Sequence, residues 1–128
     1  MKKILVVDDE QEIVELVRAR LETNGYRVIS AFDGKEGVEK AKQEKPDLIL
    51  MDISMPRMMG GEAAKLLKAD AATKHIPIMF LTAVASKVAP GEPGSGINIG
   101  GEFIPSIAKP FDSQELLTVA RKLCGEGP

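Results

Sequence analysis

Three acidic residues, a threonine and a lysine stand where apolar runs of this chain end. Asp8 and Asp9 follow Ile4-Leu5-Val6-Val7, Asp52 follows Leu48-Ile49-Leu50-Met51, Thr82 follows Ile78-Met79-Phe80-Leu81, and Lys109 follows the run from Phe103 to Ala108. Short continuous apolar runs predict strands buried on both faces of a parallel sheet. In open α/β sheets, ligands bind beyond the carboxyl ends of the strands. The five polar residues are therefore expected along one sheet edge. Carboxylates from two strand ends can hold a hard divalent cation through oxygen alone. Together with a lysine and a hydroxyl, such a cation is what phosphoryl transfer needs, because that reaction asks for positioning and charge neutralisation.

Strand-like and helix-like segments alternate to carry these residues. After Ile4–Val7, residues 12–21 place Ile13, Leu16, Val17 and Leu21 on a helical stripe, and Asn24-Gly25 is a good helix stop. Residues 26–31 read as a second strand. Asp33-Gly34-Lys35-Glu36 resembles a capping box at the start of a second helix, which ends before Pro46. Residues 47–51 are the central strand, 52–60 a loop, and 61–68 a third helix with Ala63, Leu66 and Leu67 inward. Pro77 introduces the fourth strand. A last helix starts with the capping box Asp112-Ser113-Gln114-Glu115 and carries Leu116, Leu117, Val119, Ala120 and Leu123. The domain is expected over residues 1–124, with 125–128 as a fraying tail.

One region departs from this alternation. A crossover helix is expected between Thr82 and the fifth strand, since parallel neighbours need a long connection. The chain instead has Pro90-Gly91-Glu92-Pro93-Gly94-Ser95-Gly96, then Gly100 and Gly101. In a helix interior glycine costs about 1 kcal/mol and proline about 3 kcal/mol. A full fourth helix is not expected; a loop with at most a stub of helix is. Pro105 argues that the fifth strand lies at the sheet edge.

Composition excludes several classes. With 128 residues the chain can bury one core, and its formal net charge of −2 argues against a nucleic-acid surface over the whole chain. The absence of Trp and a single Tyr argue against a base-stacking platform. No apolar run reaches the roughly 18 residues of a membrane span. Cys124 is the one cysteine, with no internal disulfide partner, and reads as a packing residue. No signal peptide is recognisable after Met1-Lys2-Lys3-Ile4. A cytoplasmic protein is expected, without membrane or nucleic-acid partners.

The residues resemble the receiver domains of two-component response regulators. The resemblance covers essentially the whole chain. It rests on Val6-Val7-Asp8-Asp9-Glu10, Pro46 to Asp52, Met55-Pro56 with Gly60, Leu81-Thr82-Ala83 and Lys109-Pro110-Phe111. Each block is weak alone; in this order and spacing they are specific. The resemblance implies an α/β, flavodoxin-like, doubly wound five-stranded parallel sheet of order 2-1-3-4-5, with the site at the switch point between the first and third strands. It implies that Asp52 is the phosphoacceptor. Asp9, Asp52 and the Ser54 carbonyl would then hold Mg2+ directly, and Asp8 through a water. Lys109 would pair with Asp52 and then with a phosphoryl oxygen, and Thr82 would donate its hydroxyl to another. The implied donor is a sensor histidine kinase or phosphotransfer protein, docking near Gln11, Ile13, Val14, Val17 and the Pro110-Phe111 loop. The implied output is contact with a downstream protein by a stand-alone receiver.

Other readings remain beside it. Asp8-Asp9 alone is also a helix cap, Asp52 alone a turn former, and Thr82 alone structural. Glu10, Glu12 and Glu15 read as solvated support for the helix N-terminus, and His75 as a surface residue. Many receivers carry an aromatic residue three before the lysine; here it is Ser106, and Phe103 is six before. With the glycine-rich stretch, this permits a receiver-like interaction module that works without phosphorylation. It also suggests output through ordering or displacement of residues 83–104. A haloacid-dehalogenase-type phosphatase needs a second Asp where Ser54 stands. A flavodoxin would place a flavin phosphate against Asp8-Asp9-Glu10, which repel it.

Overall fold

A computed structural model of the chain describes residues 2–53, 60–82, 96–99, 102–108 and 113–125. Its elements are β1 (Lys3–Val7), α1 (Gln11–Thr23), β2 (Arg27–Ala31), α2 (Gly34–Glu44), β3 (Leu48–Asp52), α3 (Gly60–Ala69), β4 (Ile78–Thr82), β5 (Gly96–Ile99), β6 (Glu102–Ala108) and α4 (Ser113–Leu123). The strands form one sheet in the order β2-β1-β3-β4-β6-β5. Five of them, β2-β1-β3-β4-β6, are parallel and follow the expected 2-1-3-4-5 order.

The sheet is buried on both faces, as the unbroken apolar runs require. One face packs Ile4, Val6, Leu48, Leu50, Met79 and Leu81 against α1 and α4; the other packs Leu5, Val7, Ile49, Met51 and Phe80 against α2 and α3. Cys124 is buried in the first of these layers, a packing residue as expected. The Asp33 cap of α2 forms, with the return bond one residue earlier than in a capping box: the Glu36 N–H donates to Asp33 Oδ1 at 2.8 Å, and Glu36 Oε1 accepts from the N–H of Phe32, the residue before the cap, at 2.8 Å. The α2 C-cap, Lys45, is left-handed at φ 48° directly before Pro46. His75 is exposed.

Three expectations are corrected. The inward face of α1 is Val14, Val17 and Leu21, while Leu16 is 44% exposed. Val14 and Val17 therefore pack the core and cannot form a docking surface; Ile13 is partly buried against them. On α3 the inward residues are Ala63, Ala64 and Leu67, and Leu66 is exposed. In both helices adjacent apolar residues, Ile13-Val14 and Leu16-Val17 in α1 and Leu66-Leu67 in α3, satisfy the same i, i+3, i+4 spacing.

The third correction concerns the sheet edge. Residues 96–99, expected within a loop, form β5, which pairs antiparallel with β6 from Gly96↔Pro105 to Ile99↔Glu102. The fifth parallel strand is thus flanked rather than terminal. Pro105 is still placed as its missing N–H demands. It ends the β5 ladder, and pairing with β4 begins only at Phe80↔Ser106. The two halves of β6 serve different neighbours, and proline stands at the change. Residues 83–95, where the stub of helix was expected, lie outside the described residues, as does the Asp112 cap of α4.

Candidate functional site

The register of β1 and β3 pairs Val7 with Met51. Asp8, one residue past Val7, and Asp52, the last residue of β3, thereby leave the sheet side by side. Asp8 is 0% and Asp52 4% exposed, while Asp9 and Glu10 are exposed. Backbone bonds fix the two strand ends from their outer neighbours. The Asp8 N–H donates to the Ala31 carbonyl at 3.1 Å, and the Ile53 N–H donates to the Leu81 carbonyl at 3.1 Å. The Glu10 N–H donates to Asp8 Oδ1 at 2.9 Å, an Asx turn that orients that carboxylate.

The same turn starts α1. Glu10 is its N-cap, in an extended conformation and with no side-chain cap bond. Its carbonyl accepts from the N–H groups of Ile13 and Val14, both at 3.1 Å. The positive end of the α1 dipole thus lies beside the acidic groups and favours their charge.

One carboxylate oxygen from each of Asp8, Asp9, Glu10 and Asp52 lies within 4.8 Å of all the others. Oxygens bound to one Mg2+ at about 2.1 Å lie at most about 4.2 Å apart. Only a small closure is needed, and an oxygen-only donor set suits a hard divalent cation. The residues therefore fit such an ion. Buried carboxylates this close repel unless a cation or hydrogen bonds compensate them.

The structure brings together Asp8, Asp9 and Asp52, the three acidic residues singled out from the sequence. Thr82 ends β4, and its backbone pairs with Ala108, the residue before Lys109. The Thr82 side chain, Ser54 and Lys109 lie outside what is described. Glu10, expected only as solvated support for the helix, has its carboxylate in the cluster. The signal was present in the run Asp8-Asp9-Glu10, but only the Asx turn folds the third acid back. Glu10 also lines an open groove of about 480 Å³ with Gln11, Glu12 and Glu15.

Among the described residues, no helix is long and apolar enough to cross a membrane. The family model of the response regulator receiver domain matches residues 4–121. The alkaline phosphatase synthesis transcriptional regulatory protein PhoP of Bacillus subtilis is 42% identical over 90% of this chain and 45% of its own length. The chain spans about half the length, or less, of the first curated relatives it matches. Among solved structures, the chemotaxis response regulator CheY4 of Vibrio cholerae superposes with a TM-score of 0.81 at 33% identity, over 96% of this chain and 98% of that one. The receiver domain of sensor histidine kinase PA1611 from Pseudomonas aeruginosa has a TM-score of 0.81 at 28% identity, over 97% of this chain and 98% of that one. It is described with a magnesium ion coordinated in its active-site cleft.

Proposed function

Because this chain belongs to the response regulator receiver family, we propose that it accepts a phosphoryl group on Asp52 in a Mg2+-dependent reaction. The donor is a sensor histidine kinase or a histidine phosphotransfer protein, and the output is protein–protein contact with a downstream target in the cytoplasm. The observation that carries this reading is the convergence of the Asp8, Asp9 and Asp52 carboxylates within 4.8 Å at the carboxyl ends of β1 and β3.

In the reaction a carboxylate oxygen of Asp52 attacks the donor's phosphorus. The bond from phosphorus to the histidine nitrogen breaks, and the imidazole leaves with that electron pair. Asp52 then carries an acyl phosphate, and later attack by water on phosphorus restores the carboxylate. A carboxylate is a weak nucleophile, so placement and charge compensation account for most of the rate. Asp52 is held at a strand end by the bond from Ile53 to Leu81, which limits its motion. Asp9, Asp52 and the Ser54 carbonyl would hold Mg2+, with Asp8 acting through a bound water. Mg2+ bound there supplies positive charge against the phosphoryl oxygens. Lys109 neutralises one further phosphoryl oxygen, and the Thr82 hydroxyl donates to another. In this way the chain promotes its own phosphorylation and dephosphorylation without turning over an external substrate as an enzyme does.

The test is incubation with acetyl phosphate and Mg2+, read by intact mass, with Asp52→Ala as control. The expected result is a gain of one phosphoryl group that needs Mg2+ and disappears in the variant. No gain, from acetyl phosphate or a panel of histidine kinases, would replace this reading with a phosphorylation-independent interaction module.

A further inference from the structure

Resting on the reading of this site as a divalent-cation phosphoacceptor centre, we propose that Glu10 is a fourth charge of the cation site. It acts on the ion through the ion's bound waters and sets how tightly Mg2+ is held before any donor arrives. Two observations carry this. The Glu10 carboxylate has an oxygen within 4.8 Å of oxygens of Asp8, Asp9 and Asp52. The Glu10 backbone N–H holds Asp8 Oδ1 at 2.9 Å, so the residue is fixed to the site by its main chain while its carboxylate remains exposed.

Mg2+ keeps several waters, and those on the solvent side need acceptors. Asp8 and Asp52 are buried beneath the site, whereas Glu10 is on its exposed rim with a longer side chain. A carboxylate there adds attraction for a divalent ion without displacing its water. Glu12 and Glu15 are on the same helix, but neither belongs to the four-oxygen group.

The experiment is calorimetric titration with MgCl2 alone, at low ionic strength, on wild type, Glu10→Gln, Glu12→Gln and Asp9→Asn. Circular dichroism confirms that each variant is folded. From Coulomb attraction at this range in a solvent-rich site, Glu10→Gln should bind Mg2+ roughly three- to tenfold more weakly. Glu12→Gln should change affinity by less than about twofold, and the Glu10 effect should shrink in high salt. Equal affinity of Glu10→Gln and wild type overturns the inference while leaving the site intact. Equal weakening by Glu12→Gln overturns it too, since the effect would then be the general charge of the helix. A wild type that does not bind Mg2+, or that binds it as well with Asp9→Asn, overturns the parent reading itself.

Discussion

Gly37 of α2 lies directly against Val7, the last residue of β1 before the acidic site. A Cβ at position 37 would stand 2.9 Å from Val7 Cγ2 and 3.0 Å from its Cγ1. The glycine thus lets α2 approach the strand that presents Asp8. Alanine there would favour the helix by about 1 kcal/mol, but overpacking of this kind costs about 1–3 kcal/mol. Because Val7 is held in a paired central strand, the clash should win. Gly37→Ala should therefore be destabilised by about 1 kcal/mol in urea unfolding. Shortening Val7 should relieve it: a cycle of Gly37→Ala with Val7→Ala should show a favourable coupling of at least about 0.5 kcal/mol. A Gly37→Ala protein as stable as wild type would mean that Val7 yields freely.

The crowded carboxylates should make folding stability depend on a divalent cation. A ligand that binds only the native state at ten times its Kd stabilises by about 1.4 kcal/mol. For a domain of this size that raises Tm by about 5 °C. Wild type should show this rise with MgCl2. Asp52→Asn removes one nearly buried charge from the group. Its Tm without cation should equal or exceed that of wild type, because repulsion is relieved, and its Mg2+ response should be largely lost. Thermal scans with MgCl2 or EDTA decide this, and an undiminished response in Asp52→Asn would remove Asp52 from the cation site.

Asp70, at the end of α3, gives a pH dependence separate from the site. Its carboxylate accepts from the Ala72 N–H at 2.8 Å and pairs with Lys42 Nζ of α2 at 3.3 Å. The backbone bond first, and Lys42 second, hold its pKa below the ordinary carboxylate value. A depressed native pKa stabilises the fold above the unfolded-state value, about 3.9 for Asp. That contribution is lost as pH falls from there through the lower native pKa. The stability difference between wild type and Asp70→Asn should be constant above about pH 5 and shrink below about pH 4. Urea midpoints from pH 2 to 7 test it; a difference that grows on acidification would reverse the assignment.

How much of this was legible in the sequence depended on whether a residue's position follows from strand order alone. Asp8, Asp9 and Asp52 end short continuous apolar runs that read as buried parallel strands, so their meeting follows from the order β2-β1-β3. Glu10 was missed because its place in the cluster depends on one turn, the bond from its N–H to Asp8 Oδ1. The α1 face slipped because Ile13, Leu16 and Val17 fit helical spacing as well as Val14, Val17 and Leu21 do; only the sheet beneath decides. β5 was illegible for a different reason. Gly96-Ile97-Asn98-Ile99 has no alternation long enough to signal a strand, and its pairing with Glu102 to Pro105 supplies what local preference lacks.

Thr82 and Ala108 are Cα partners where β4 and β6 end. Thr82 is the final residue of β4, and its Cα partner immediately precedes Lys109. Two groups proposed to meet the same phosphoryl group thus follow adjacent strand ends, and a pull on Thr82 should be felt along β6. Loss of the hydroxyl should leave the acid site and its nucleophile in place. Thr82→Ala should accordingly still gain one phosphoryl group from acetyl phosphate. The amide shifts that phosphorylation produces along β6, from Glu102 to Ala108, should shrink by about half or more, because the hydroxyl that would draw β4 toward the phosphoryl oxygen is gone. Lys109→Ala, which removes the charge proposed to compensate the phosphoryl oxygens, should instead lower the gain itself. Two-dimensional amide spectra before and after acetyl phosphate, with intact mass on the same samples, separate the two effects. Undiminished β6 shifts in phosphorylated Thr82→Ala would mean that the signal leaves the site by another route.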